Sequence, residues 1–241
     1  MNKLQIILLL LIVGCGTNKV ANPTGDLTIL GEYLIDVPEP SGLSLSSSGQ
    51  SLWTVSDYTG KLYQITFTGE LHNTLNWIGN DLEGIICDPA DGSFYVVEER
   101  TSNVVHLNSQ GTEIERFQID TGGSENSGPE GIALRNGTFF VINEKQPAQV
   151  CEMNAAWQTV ATYDIGFADI SGICWDDSRN TFWLVSDQVR ALFSWTPEAG
   201  VAEVYDLGDI EKAEGVVVSP NGKVRIVSDS SSRLYVLQLE S

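Results

Sequence analysis

Leu82-Glu83-Gly84-Ile85-Ile86-Cys87-Asp88-Pro89-Ala90-Asp91-Gly92-Ser93-Phe94-Tyr95-Val96-Val97-Glu98-Glu99 reads as two apolar strands around a Pro/Gly turn, opened by Glu-Gly and closed by two acids. The unit recurs. Ser41-Gly42, Glu83-Gly84, Glu130-Gly131, Ser171-Gly172 and Glu214-Gly215 each open such a stretch, and their glycines lie 41 to 47 residues apart. A period of about 40–50 residues marks propeller blades. Each opening strand runs into turn residues such as Ser47-Ser48-Gly49, Asn136-Gly137 or Ser219-Pro220-Asn221-Gly222, which signal hairpins.

A second strand, rich in aromatic and β-branched residues, follows each turn and ends in Ser56-Asp57, Glu98-Glu99, Asn143-Glu144, Ser186-Asp187 or Ser228-Asp229. Third strands are expected at Lys61 to Thr66, Asn103 to Leu107, Gln149 to Met153, Ala191 to Trp195 and Arg233 to Gln238. Fourth strands alternate apolar and polar residues at Leu71 to Ile78, Thr112 to Ile119, Thr159 to Ile165 and Val201 to Leu207. The fifth repeat runs out at its third strand, whereas Leu27 to Val37 has fourth-strand character and precedes the first repeat. The sequence therefore predicts an all-β, five-bladed β-propeller of four-stranded antiparallel blades, its last blade closed by the N-terminal strand. Pairing the two termini hides two edges that would otherwise template aggregation.

Residues 1–14 combine Lys3 with an apolar run from Leu4 to Val13 that is short for a bilayer span, so they read as an export signal. Ile12-Val13-Gly14-Cys15 resembles the bacterial lipobox, which makes Cys15 the expected lipidated residue. Residues 15–26 read as a polar tether and 27–241 as one propeller domain. The expected setting is the bacterial cell envelope, with the membrane held through a lipid anchor. Cys87, Cys151 and Cys174 lack metal-site spacing and sit among strand residues, so buried thiols are expected.

The chain has 13 basic and 32 acidic residues, a formal net charge of -19, which excludes nucleic acid as an expected partner. A monomer is expected. In a propeller the first strand lines the channel and the second runs antiparallel to it, so the start of one and the end of the other share a face. Glu83, Glu130 and Glu214, with Ser41 and Ser171, should therefore ring one channel mouth together with Asp57, Glu99, Glu144, Asp187 and Asp229. So many carboxylates cannot all ionise without a cation, shared protons or hydrogen-bond donors. An oxygen-only set suits calcium or magnesium, and His72 and His106 fall outside it. For the strand-end acids, hydrogen bonding of inter-strand loops is the competing role. Neither a nucleophile–histidine arrangement, nor a P-loop, nor a dinucleotide fingerprint is readable.

The repeated motifs Pro40-Ser41-Gly42-Leu43, Leu82-Glu83-Gly84-Ile85, Pro129-Glu130-Gly131-Ile132 and Ser186-Asp187 resemble those of the SdiA-regulated family of bacterial propellers, over roughly Val37 to Gln238. That resemblance implies an exported or membrane-anchored propeller and no settled reaction. More distantly the chain is similar to calcium-dependent propellers, the gluconolactonase and paraoxonase-like lactonases and the phytase-like esterases. There a glutamate before glycine holds calcium, which implies such a role for Glu83, Glu130 and Glu214. The chain departs from them in having five repeats and, at its strand ends, only Asn143 as an asparagine. Three functions follow as expectations. The first is a noncatalytic propeller binding a divalent cation, and a small ligand or protein, at its acidic mouth. The second is a calcium-dependent hydrolase of lactones or phosphoesters. The third is a protein-interaction scaffold, whose marker would be an apolar patch on one face.

Overall fold

A computed structural model describes residues 23–123 and 127–240. The expected leader, Cys15 and most of the expected tether lie outside the described residues. The strands are β1 (Asp26–Leu34), then β2 (Pro40–Leu45), β3 (Leu52–Ser56), β4 (Lys61–Ile65) and β5 (Leu71–Thr74) in the first blade. The second blade holds β6 (Leu82–Cys87), β7 (Phe94–Glu98), β8 (Asn103–Leu107) and β9 (Glu113–Gln118). In the third are β10 (Pro129–Arg135), β11 (Thr138–Asn143), β12 (Gln149–Met153) and β13 (Thr159–Asp164), and in the fourth β14 (Ile170–Asp176), β15 (Thr181–Ser186), β16 (Ala191–Thr196) and β17 (Gly200–Asp206). The fifth comprises β18 (Ala213–Val218), β19 (Val224–Ser228) and β20 (Arg233–Glu240), and β1 adds to it in the order β1-β20-β19-β18.

The protein is thus a five-bladed β-propeller closed by its N-terminal strand. β1 runs antiparallel to β20 from Asp26 opposite Glu240 to Leu34 opposite Arg233, with one bulge between Ile29 and Gly31. Thr24, expected in the tether, already belongs to the fold: its N–H donates to the Val204 carbonyl at 2.8 Å and Gly25 bridges Tyr205 in parallel. β5 is shorter than the alternation predicts. After Leu75 the chain leaves the sheet, Gly79 N–H donates to the Gly60 carbonyl at 2.8 Å, and Ile78 is left 64% exposed.

Apolar packing is distributed around the ring as five clusters, one at each seam between neighbouring blades. At the first seam Trp53 meets Phe94 edge-on at 4.8 Å; at the third Phe140 meets Phe182 at 4.7 Å. Each fully buried side chain of this size contributes about 1.5–3 kcal/mol, so the seams hold the blades in a fixed ring. Cys87, Cys151 and Cys174 are buried and unpaired, as packing residues. The ring narrows at the glycines of the five opening pairs. A Cβ on Gly42 would lie 2.5 Å from the Glu83 carbonyl oxygen, one on Gly84 2.8 Å from Gly131 Cα, and one on Gly215 2.5 Å from the Gly42 carbonyl carbon. Only glycine permits this approach.

Candidate functional site

In every blade the ladder between the first and second strands slips at the Ser/Glu-Gly pair: between Ser41 and Leu43, Leu82 and Ile85, Pro129 and Gly131, Ile170 and Gly172, and Ala213 and Gly215. A bulge frees one residue from the alternation and re-aims its side chain. Here it delivers Ser41, Glu83, Glu130 and Glu214 to a cavity of about 280 Å3 at one end of the channel. Asp57, Glu99, Glu144 and Asp229 also line it, joined by Glu39 and Lys145. Ser171, expected in the ring, lies at the glycine neck instead, its hydroxyl donating to the Ala213 carbonyl at 2.5 Å.

Asp187 does not line this cavity. It accepts from the Lys212 N–H at 2.7 Å and its carboxylate pairs with Lys212 Nζ at 3.2 Å. The residue just before each strand-end acid is structural. Ser56, Ser186 and Ser228 hydroxyls donate to the carbonyls of Pro38 (2.5 Å), Ala168 (2.7 Å) and Glu211 (2.7 Å), tying down the loops that enter each blade. Glu98, 1% exposed, does the same by accepting from Asn80 N–H at 3.1 Å and pairing with Arg116. Asn143 donates to the carbonyls of Lys145 and Pro147. Loop-fastening and channel-lining therefore fall on adjacent residues of the same motif.

A further tier was not evident from the repeats. Two residues before each Ser/Glu stand Glu39, Asp81, Gly128, Asp169 and Lys212, and the four non-glycine members have φ of 43°, 58°, 60° and 49°. Left-handed backbone is costly for these residue types and collects at functional sites. Four of these residues, all but Asp169, accept through their carbonyls from the strand-end acids: Asp57 to Glu39 (3.2 Å), Glu99 to Asp81 (3.0 Å), Glu144 to Gly128 (3.2 Å) and Asp229 to Lys212 (3.0 Å). The signal was available at a fixed offset in the aligned repeats, but its meaning depends on backbone conformation.

These tiers bring together two trios of carboxylates. Asp57, Asp81 and Glu83 can each turn an oxygen to within 4.8 Å of the others, and so can Glu99, Glu130 and Glu144 one blade on. In the first trio Asp81 pairs through Oδ1 with Arg100 at 3.1 Å, while its Oδ2 is buried and has no hydrogen-bond partner unless Asp57 and Asp81 share a proton. Buried polar atoms are rarely left unpaired, and a hard cation with oxygen ligands suits this atom and its two carboxylate neighbours. Lysines neutralise part of the charge: Lys145 Nζ pairs with Glu144 in the second trio at 2.5 Å, and Lys212 with Asp187 in the third sector.

The crowding shows in the acidities. Burial, and then Asp81, pushes Asp57 up to about 6. Burial raises Glu83 well above the carboxylate range, against the Ser41 hydroxyl that donates to it and with the help of Asp57 and Glu214. Glu130 is also raised well above that range by burial and by Glu83, Glu99 and Glu144. Burial and a hydrogen bond with Asp169 raise Glu144 to about 7 although Lys145 opposes it, and burial takes Glu214 to about 8 against the pull of Lys212. A cation would reverse this penalty, because it favours the ionised form of every oxygen it touches.

The ring of bulged acids at the end of a glycine-narrowed channel defines the class as an acidic-mouthed five-bladed propeller. The family model described as SdiA-regulated matches residues 34–166 and 164–241, and the chain belongs to that family. No curated protein sequence matches it. Among solved structures it is similar to the glutaminyl cyclase of Myxococcus xanthus (TM-score 0.71, 14% identity, 90% of this chain and 97% of that one). It is also similar to a streptogramin B lyase (TM-score 0.53, 16% identity, 87% and 69%) and to a protein of unknown function from Bacteroides caccae (TM-score 0.57, 13% identity, 78% and 70%). At these identities the likeness is one of fold.

Proposed function

We propose that this is a noncatalytic envelope propeller that binds a divalent cation, calcium by the character of its ligands, at the acidic mouth, where the cation completes a site for a small ligand or partner protein. The observation that carries this reading is Asp81 Oδ2, buried and unpartnered within a trio of carboxylates. Carboxylate oxygens at this flexible spacing match calcium better than the strict octahedron of magnesium. Asp57 and Glu83 in one trio, and Glu99 and Glu130 in the other, come from adjacent blades, so a bound cation would also clasp a blade seam. The mouth supplies oxygen ligands rather than a nucleophile and base, since His72 and His106 lie elsewhere and His106 stacks on Tyr95 at 4.3 Å. That favours binding over hydrolysis of lactones or phosphoesters.

Export and lipid attachment at Cys15 belong to the same reading, and Cys15→Ser should release the protein from membranes. The cation is tested by calorimetric titration of calcium into chelator-stripped protein. Saturable binding in the wild type, lost in a Glu83/Glu130/Glu214→Gln triple variant, is the expected result. Absence of binding, or binding unchanged in the variant, would overturn the cation site.

A further inference from the structure

Beyond the glycines, on the side remote from the acids, the channel changes character. A funnel of about 650 Å3 opens there, and the neck between it and the 280 Å3 acidic mouth leaves only about 10 Å3. That is room for about one water, so the two ends are separate chambers.

The wall of the funnel is built from the same five first strands. Leu45, Ile86, Leu134, Trp175 and Val218, one from each blade, are all half-buried and all line it. At the mouth end the same strands present Ser or Glu; at this end every blade presents an apolar side chain. Apolar surface left facing water in a concave chamber has a hydration cost that an apolar occupant removes. The chamber's volume lies within the range of about 300–1,000 Å3 usual for small-molecule pockets.

Trp175 is held ready. The Arg135 guanidinium lies 4.8 Å above its ring centroid, Phe182 meets it edge-on at 4.8 Å, and its Nε1–H donates to Asp177 Oδ1 at 2.5 Å. The part of the indole that these partners leave uncovered forms pocket wall, fixed before any ligand arrives. Polar groups stand among the lining: Asn136, Asp88, Asp177 and the serines of the first turn, where Ser46 and Ser48 hydroxyls lie 3.1 Å apart. The lining holds two aspartates and no lysine or arginine, which disfavours anions, fatty acids included.

We propose that this funnel is a second binding site, for an uncharged, mainly apolar, ring-bearing small molecule that stacks on Trp175 and places one hydrogen-bonding group at the serine and Asn136 rim. It is independent of the cation site, from which the glycine neck separates it.

The probe is the neutral fluorophore N-phenyl-1-naphthylamine, titrated into the full chain with and without chelator. Comparison among full-length variants cancels any contribution of the apolar leader. Saturable binding at one site per chain is expected, unchanged by chelator and by Glu83→Gln, and at least about tenfold weaker in Val218→Asp, a loss of about 1.4 kcal/mol. Because a charge in the wall could unfold the ring, Leu134→Trp, which fills the chamber with apolar volume, is measured beside it and should exclude the probe while keeping its melting temperature. No saturable binding to the wild type, or equal affinity in a folded Leu134→Trp chain, would overturn the site.

Discussion

The hydroxyl of Ser41 donates to Oε2 of Glu83 at 2.7 Å across the seam between the first two blades, and to the Glu83 carbonyl at 2.9 Å. A hydrogen bond to a carboxylate favours its ionised form, so this serine opposes the burial that keeps Glu83 protonated. Ser41→Ala should weaken calcium binding by about tenfold near pH 7, from the loss of roughly 1.5 kcal/mol in a charge-assisted bond. The deficit should shrink as the pH is raised, because ionisation of Glu83 then limits the site less. Equal affinity at pH 7 would remove Ser41 from the account.

The mouth also makes stability depend on pH. Asp57, Glu144 and Glu214 rise from 3.8, 4.5 and 4.5 to about 6, 7 and 8, chiefly through burial. In this window the folded state holds protons that the unfolded chain has released, so stability falls as pH rises. Without calcium the melting temperature should drop by several degrees from pH 5 to pH 8. Saturating calcium should flatten the slope, since a ligand of the folded state stabilises it most where the carboxylates are ionised. A melting temperature that climbs with pH in chelator would contradict the assignment.

Glu98 and Glu99 are neighbours with different work. Glu98→Gln should cost stability, about 1–3 kcal/mol by weakened bonds to Asn80 N–H and Arg116, and leave calcium affinity alone. Glu99→Gln should do the reverse, weakening calcium while raising the stability of the calcium-free protein by removing one crowded charge. Denaturant melts paired with calcium titrations separate the two; matching effects from both substitutions would mean that the adjacent roles are not divided.

The glycine neck is a packing constraint. In Gly215→Ala the new Cβ meets the backbone of Gly42 and Leu43 at 2.5 and 2.7 Å, and overpacking of this kind costs about 1–3 kcal/mol or more. Gly137→Ala is the control. It carries the left-handed penalty of its φ of 81° but meets nothing within 4 Å, so its loss should be about 1 kcal/mol. Urea unfolding should rank the two in that order.

The five blades and the acidic mouth were legible because their motif is written five times, so that a fault in one copy is corrected by the others, and the closing strand was legible because the fifth repeat lacks the fourth strand that the other four carry. What escaped was specified once or by conformation. The early end of β5 depends on Gly79 meeting Gly60. Asp187 leaves the cavity because the fifth repeat alone carries a lysine, Lys212, where Glu39, Asp81, Gly128 and Asp169 stand in the others. Asp81 itself became visible only when its left-handed φ of 58° turned it toward Asp57 and Glu83. The funnel was hidden for a plainer reason: apolar residues late in a strand read as core, and only the ring geometry shows that Leu45, Leu134, Trp175 and Val218 face a chamber.

The most direct test of the central claim is the anomalous difference map of crystals grown with calcium and of others soaked in manganese. The account predicts a peak at the acidic mouth bounded by oxygens of Asp57, Asp81 and Glu83, or of Glu99, Glu130 and Glu144, at about 2.3–2.6 Å for calcium. A mouth holding only water, with the carboxylates bonded to one another through shared protons at saturating calcium, would contradict it.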